Sequence, residues 1–293
     1  MTKDELEKAI STRFQEMPPK LRQAARYVLD SPKDVALQSM RTVAARAQLQ
    51  PASMLRLARE LGFASYEDFR AVYVEWLSAG PSGPSGLLER AEQVREHSRA
   101  SGDEQLLAES LANEYGNLEA TLSARNGKRF VEAVERLRAA NRIYLLGLRS
   151  LYPPAFYLHY VLSTFQDNVT LISGEGGALI DDMRRIGKAD VLLCFTARPY
   201  TVASLETTKF ARERGATVIA VSDSALSPVA AQAHTCIMAP NTSLSLFPSI
   251  LPALAVAQTL AQLLIAHGGE DTLAEVANSA AQLHKFNIYT ADD

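Results

Sequence analysis

Apolar positions along this chain change their period once, and the change divides it. Up to about residue 139 they recur every three or four residues, as on one face of a helix. From Arg142 onward they gather into short β-branched runs separated by helix-like stretches. In the first part, Leu6, Ile10 and Phe14 mark a helix over 4–16. Leu21, Ala25, Val28 and Leu29 mark another over 18–30, with Pro18-Pro19 between them. Ser31-Pro32 stops the second helix, and 34–38 reads as a short connecting turn. Residues 42–61 then read as two short helices on a tight turn. Val43, Ala44 and Ala47 share one face of the first; Met54, Leu55, Ala58 and Leu61 repeat along the second. The turn Gln48-Leu49-Gln50 tucks Leu49 inward. Gln48 stands where glycine would take a left-handed backbone more cheaply, Gln50 holds the cap position, and Pro51 suits the first helical position. After Gly62, Ser65 caps a further helix whose first turn carries Glu67 and Asp68 and whose apolar residues are Phe69, Val72, Tyr73 and Trp76.

This pattern predicts an all-α helix-turn-helix domain over 1–77. The run SAGPSGPSG at 78–86 reads as a flexible linker of Ser, Gly and Pro. Residues 87–139 return to helical spacing, broken at Ser101-Gly102, where Asp103 is placed to cap the next helix. They read either as a dimerising arm or as a helical layer covering a sheet. Five strands are predicted at 143–147, 169–173, 191–196, 217–222 and 234–238, alternating with helices. That order implies an α/β three-layer fold with a doubly wound parallel sheet, in a second domain spanning 87–285.

Composition adds little to the fold and more to the compartment. At 47% apolar and 22% charged, 293 residues suffice for two ordinary cores. The N-terminus is charged and amphipathic, unlike a signal peptide. The most apolar stretch, 250–266, is broken by Pro252 and carries Gln258 and Gln262, so it reads as a buried or interface helix with no membrane span expected. Cys194 and Cys236 each lie inside an apolar strand and read as buried thiols, which fits a cytoplasmic protein. The net charge of −3 gives no overall attraction to nucleic acid. Locally the balance reverses: residues 35–59 hold Arg41, Arg46, Arg56 and Arg59 and no carboxylate. A helix-turn-helix with a positive face is suited to laying its second helix in a DNA major groove.

In a doubly wound sheet, ligands bind outside the carboxyl ends of the strands. After the first strand come Gly147, Leu148, Arg149 and Ser150, then Pro153-Pro154 opening a helix. Ser173-Gly174-Glu175-Gly176-Gly177 follows the second, and Thr196-Ala197-Arg198-Pro199-Tyr200-Thr201 the third. Hydroxyls, arginines and helix starts converging on one crevice suit an anion. Neither a three-glycine dinucleotide turn nor a GxxxxGK[ST] loop occurs, and His97, His159, His234, His267 and His284 have no metal-ligand spacing. No cofactor or metal is expected. No Ser-His-Asp or paired-carboxylate arrangement is evident either, so the pocket reads as one that holds an anion without transforming it.

VAARAQLQPASMLRLARELGFASYEDFR (43–70), the GxxS turn at 147–150, ADVLLCFTARPYT and KFARERGATVIAVSDSALSPVA (209–230) together resemble the RpiR-type bacterial regulators. These join an N-terminal helix-turn-helix to a C-terminal sugar isomerase (SIS) domain, and the resemblance covers nearly the whole chain. It implies a transcription factor that binds a phosphorylated sugar or related anionic metabolite, with Ser150, Thr196 and Thr201 at hydroxyl-bearing ligand positions. It implies operator DNA at Gln50, Ser53, Arg56 and Arg59. Two departures stand out. The usual third loop is a Ser-x-Ser-Gly-x-Thr cradle, whereas here Ala197-Arg198-Pro199-Tyr200 fills its middle. Proline removes an amide donor, while Arg198 adds a charge suited to bidentate binding of carboxylate or phosphate. Leu55 is the other, apolar where the family is often polar. The full set of expected ligand residues is Arg149, Ser150, Ser173, Thr196, Arg198, Tyr200 and Thr201. For DNA it is Arg41, Arg46, Gln50, Ser53, Arg56 and Arg59.

The leading expectation is a ligand-responsive regulator acting on a near-palindromic operator as a homodimer or homotetramer, with 103–139 and 247–266 as candidate subunit contacts. A sugar-phosphate isomerase is the competing class; it would need a base near the substrate carbon, and Glu175 and His234 are the loose candidates. A sensor acting through protein contacts alone is the third.

Overall fold

The structure is a computed structural model describing residues 3–79, 85–225 and 227–290. It divides into two compact units, one up to Gly86 and one from Leu87. The expected linker overlaps residues 80–84, which lie outside the described residues.

The first unit is helical throughout: α1 (Lys3–Arg13), a 3-10 turn, α2 (Pro19–Asp30), α3 (Pro32–Leu37), α4 (Met40–Arg46), α5 (Pro51–Glu60) and α6 (Tyr66–Ala79). Its core joins Leu6, Ile10, Val28, Val43, Ala44, Met54, Leu57, Phe69 and Tyr73, all fully buried. The turn between α4 and α5 follows the local chemistry. Gln48 takes the left-handed backbone (φ 56°), Leu49 packs partly into the core, and Pro51 opens α5. At Ser65 the capping is reciprocal. Its Oγ accepts from the Asp68 N–H at 3.1 Å, and the Asp68 carboxylate accepts from the Ser65 N–H at 3.1 Å and hydroxyl at 2.7 Å.

Two expectations are corrected here. Residues 34–38, read as a turn, belong mainly to α3. Pro32 starts this short helix, and Arg70 of α6 donates to the Ala36 carbonyl near its end at 2.9 and 3.1 Å. On α5 the buried set is Met54, Leu57, Ala58 and Leu61, while Leu55 is only partly buried. The set 54, 57, 58, 61 is one face of a 3.6-residue helix, and Leu55 lies a further 100° round it.

The second unit is entered through α7 (Ser85–Ser101), α8 (Asp103–Thr121) and α9 (Ala124–Arg138). Asp103 does not cap α8: Gly102, at φ 82°, occupies the cap position, and Asp103 accepts from the Ser98 hydroxyl at 2.6 Å. Next come β1 (Ile143–Gly147), α10 (Tyr152–Leu162), β2 (Val169–Ile172), α11 (Leu179–Asp182), β3 (Val191–Thr196), α12 (Val202–Glu213), β4 (Thr217–Ser222), β5 (Thr235–Met238), α13 (Leu251–Ala266) and α14 (Glu270–Lys285). The strands form one parallel sheet in the order β2-β1-β3-β4-β5. Strand alternation sends Ile143, Leu145, Val191, Leu193, Phe195, Ile219 and Val221 to a core under α9, α10 and α13. Tyr144, Leu146, Leu192, Cys194, Val218 and Ala220 face the opposite layer, with Ala211 of α12. Both cysteines are free, and burial pushes the Cys194 thiol up to about 12.

Helix α9 is a covering layer, bound at its start to the fifth strand. The buried Asn126 amide donates to the Met238 carbonyl at 2.7 Å and to the Thr121 carbonyl at 2.8 Å, and its oxygen accepts from the Met238 N–H at 3.2 Å. Asn126→Ala strands these groups without partners, so urea unfolding is expected to show a loss of about 1–3 kcal/mol. An unchanged midpoint would mean that water replaces the amide.

Candidate functional site

Strand order decides where the crevice lies. From β1 the chain passes to β2 on one side, and from β3 to β4 and β5 on the other, so the loops leaving β1 and β3 diverge at the switch point. Gly147 is level with Phe195 across this junction. A Cβ at Gly147 would sit 2.1 Å from the Leu151 carbonyl oxygen and 2.8 Å from Ala155 Cβ. Glycine therefore permits the turn to fold back against α10. Arg149, in that turn, takes a left-handed backbone at φ 57°.

The two loops form opposite walls of a crevice lined by Arg149, Ser150, Thr196, Arg198, Thr201 and Ser204, with no aspartate or glutamate among its lining residues. Asn241, Phe247, Pro248 and Ser249, from the loop after β5, close a third side. Three helix starts meet there. Ser150 lies in the 3-10 turn entering α10. Thr201 caps α12, its Oγ1 accepting from the Ser204 N–H at 3.1 Å and donating to Ser204 Oγ at 2.7 Å. Ser249 precedes α13, accepting from the Leu251 N–H at 3.2 Å and donating to Glu114 Oε2 of α8 at 2.7 Å. Helix N-termini carry partial positive charge and unsatisfied N–H groups. With two arginines beside them, the field in the crevice favours an anion.

Arg198 is held from behind. Its Nε donates to the Tyr200 hydroxyl at 3.3 Å, and its guanidinium lies 5.8 Å from the Tyr200 ring centroid. Tyr200 donates in turn to Asp223 Oδ1 at 3.0 Å, and burial pushes its phenol up to about 12. Tyr200 itself stands outside the crevice lining.

Ser173 is also outside it. Its Oγ accepts from the Glu175 N–H at 3.2 Å within its own turn, and β2 lies on the far side of β1 from β3. Glu175 is likewise absent from the crevice lining. His234 precedes β5, at the opposite end of the parallel sheet. Its Nδ1 accepts from the Val218 N–H at 2.9 Å, and its pKa is lowered by burial, then by Arg212 and Arg136. Sequence reading missed Ser204, Asn241, Phe247, Pro248 and Ser249. The available signal was the polar run Asn241-Thr242-Ser243 at the carboxyl end of the fifth strand.

In the first unit, Arg41, Gln50, Arg56 and Arg59 are exposed and Ser53 is half-buried. Arg56 and Arg59 border a surface groove of about 440 Å³ shared with Arg13, Glu16, Met17, Leu21 and Glu60. Arg13, which sequence reading passed over, donates to the Glu60 carbonyl at the end of α5 at 2.8 Å. Arg46 differs from the other three arginines of the motif. It pairs with Asp34 at 2.7 Å, and Asp34 also accepts from the Tyr27 hydroxyl at 2.6 Å. The Tyr27 hydrogen bond, then Arg46, hold the Asp34 carboxyl below its ordinary range.

An exposed, arginine-bearing second helix of a helix-turn-helix on one unit and an anion-favouring crevice on another are the marks of a two-part DNA-binding regulator. Comparison with known proteins agrees. A helix-turn-helix domain of the rpiR family matches residues 4–79, and a SIS domain matches 136–263. Together the matches cover more than two thirds of the chain, which belongs to the RpiR family of transcriptional regulators. An uncharacterized HTH-type transcriptional regulator of Haemophilus influenzae is 25% identical over 221 residues, 75% of this chain and 74% of that protein. Among solved structures, the Vibrio vulnificus NanR protein complexed with ManNAc-6P has a TM-score of 0.57 at 20% identity, covering 98% of this chain and all of that one. The sugar isomerase domain of an RpiR transcription factor from Sphaerobacter thermophilus has 0.56 at 22% identity, covering 60% of this chain and 99% of that domain. These two similarities concern the fold.

Proposed function

We propose that this protein is a cytoplasmic, ligand-responsive regulator that holds a phosphorylated sugar or similar anionic metabolite at the β1/β3 switch point and releases or grips operator DNA accordingly. The reading divides the chain into a DNA-binding domain at 1–77, a linker at 78–86 and a ligand domain at 87–285. The carrying observation is the crevice lining: hydroxyls, an amide, two arginines and three helix starts, with no carboxylate. A base for isomerisation would have to stand in that lining, and neither Glu175 nor His234 does, so we assign binding without turnover. In the first unit, exposed Arg41, Arg56 and Arg59 support phosphate and base contacts, and Arg46, paired with Asp34, is assigned to bracing the motif. Among the described residues no single helix is long and apolar enough to cross a membrane.

The crevice measures about 40 Å³, the space of one or two waters. A sugar-sized ligand therefore enters by moving a wall, and the loop after β5, residues 239–250, is the longest of the walls without regular structure. That loop is tied to the helices at the head of the unit. Buried Asn117 of α8 bonds the Thr242 backbone at 2.8 and 3.1 Å, Glu114 bonds Ser249, and Arg90 of α7 donates to the Leu246 carbonyl at 3.4 Å. Ligand entry would thus bias α7 and α8, of which α7 is the first described element of this unit in chain order.

Two heads on a near-palindromic operator require at least a homodimer. Of the candidate contacts, α13 turns most of its apolar face inward through Val256, Leu260 and Leu264, while α8 leaves Leu107, Leu111 and Tyr115 outward at 69–72% exposure. We assign the outer face of α8 to the second subunit.

A thermal-shift screen of hexose and pentose phosphates on the full chain tests the crevice. At a ligand concentration of 100 times the Kd, stabilisation of about 2.7 kcal/mol is expected, and Ser150→Ala and Thr196→Ala should each reduce it. Rapid turnover of any of these sugars, or no shift with all of them, would overturn the assignment.

A further inference from the structure

We propose that the crevice is matched to a ligand with two acidic groups, a phosphate at the helix starts and a carboxylate at Arg198, as in a phosphorylated sugar acid. The inference rests on the sugar-phosphate reading above and narrows it. Ser150, Thr196 and Ser204, together with the starts of α10 and α12, already furnish donors for one phosphate. Two full positive charges, Arg149 and Arg198, are then additional to that cradle. Two carboxylates stand behind the lining, each engaged by a hydroxyl: Asp223 by Tyr200 and Glu114 by Ser249.

The two arginines differ in how they are held. Arg149 is exposed, so water screens it. Arg198 is half-buried and braced by a relay running from the end of β4. Asp223 accepts from Ser222 at 3.3 Å and from Tyr200 at 3.0 Å, and Tyr200 meets Arg198 by both a hydrogen bond and its ring. Bracing of this kind fixes the plane of a guanidinium before a ligand arrives. A planar, oriented guanidinium suits a planar carboxylate in bidentate contact better than it suits an uncharged hydroxyl or aldehyde. Arg198 is thus the specificity-determining residue, and Tyr200 and Asp223 are positioning residues acting through it.

The test compares two probes of equal length that differ at one carbon: glucose 6-phosphate and 6-phosphogluconate, an aldehyde-end and a carboxylate-end hexose phosphate. Calorimetric titration of the full chain should give the acid on the order of tenfold or more tighter binding, as a charge-assisted pair provides. Arg198→Gln should reduce that preference to less than about threefold, weakening the acid more than glucose 6-phosphate. Tyr200→Phe keeps the ring and removes the hydroxyl, so it should lose part of the preference without losing the fold. Equal binding of both probes by the wild type would sink the two-acid inference and leave the sugar-phosphate reading standing. Absence of binding by both would sink the reading itself. A preference that survives in Arg198→Gln would transfer the carboxylate to another group and overturn the role of Arg198.

Discussion

Gly147→Ala is expected to destabilise the second unit by about 3 kcal/mol, lowering its thermal midpoint by roughly 6–12 °C, and to abolish ligand-induced stabilisation. The reason is local. The new methyl would stand 2.1 Å from the Leu151 carbonyl oxygen, a backbone atom that no side-chain rotation can remove. Either β1 or the 3-10 turn entering α10 must shift, and that turn carries Ser150 and Arg149 into the crevice. Stability and binding should therefore fall together. The first unit has its own core, so operator affinity measured well below the new midpoint should change far less than ligand binding. Differential scanning calorimetry with and without a sugar phosphate measures both effects. A variant with normal stability would show that the close approach is dispensable.

Arg56→Ala is expected to weaken operator binding by about 1–3 kcal/mol if the side chain reads a base edge, or to lower affinity uniformly and reduce the salt slope by about one if it meets a phosphate. Its exposure on α5 makes a folding defect a poor alternative, because Met54, Leu57 and Ala58 hold the helix from the opposite face. Fluorescence anisotropy across a salt series, on specific and scrambled DNA, separates the two modes. Ligand-induced stabilisation should remain as in the wild type. If Arg56→Ala binds the operator as tightly as the parent at every salt concentration, α5 is not the recognition helix.

The local features of this protein were legible because their causes are local. Helical spacing, Pro51 and the left-handed demand at Gln48 defined the helix-turn-helix, and β-branched runs defined the five strands nearly to the residue. Short-range ambiguity explains the misses there. Residues 32–37 contain too few apolar positions to display a period, and Arg70, which holds their helix, lies more than thirty residues further on. Leu57 was passed over because the leucines at 55 and 57, two residues apart, fit a spacing rule about equally until packing buries one fully and the other in part.

What the sequence determined by itself was which segments form helices and strands, where glycine and proline interrupt them, and that hydroxyls and arginines come after the first and third strands. Those properties come from neighbours within a few residues, through steric preference, capping and alternation. Tertiary structure alone decided which loops meet. Strand order puts β2 beyond β1 and so keeps Ser173 out of the crevice, while the return of the chain after β5 brings Asn241 and Ser249 in. It also decided how the arginines of the motif are held: Arg46, Arg56 and Arg59 all lie on the surface, and Arg46 pairs there with Asp34. Contacts between residues far apart in the chain depend on packing that no local rule encodes.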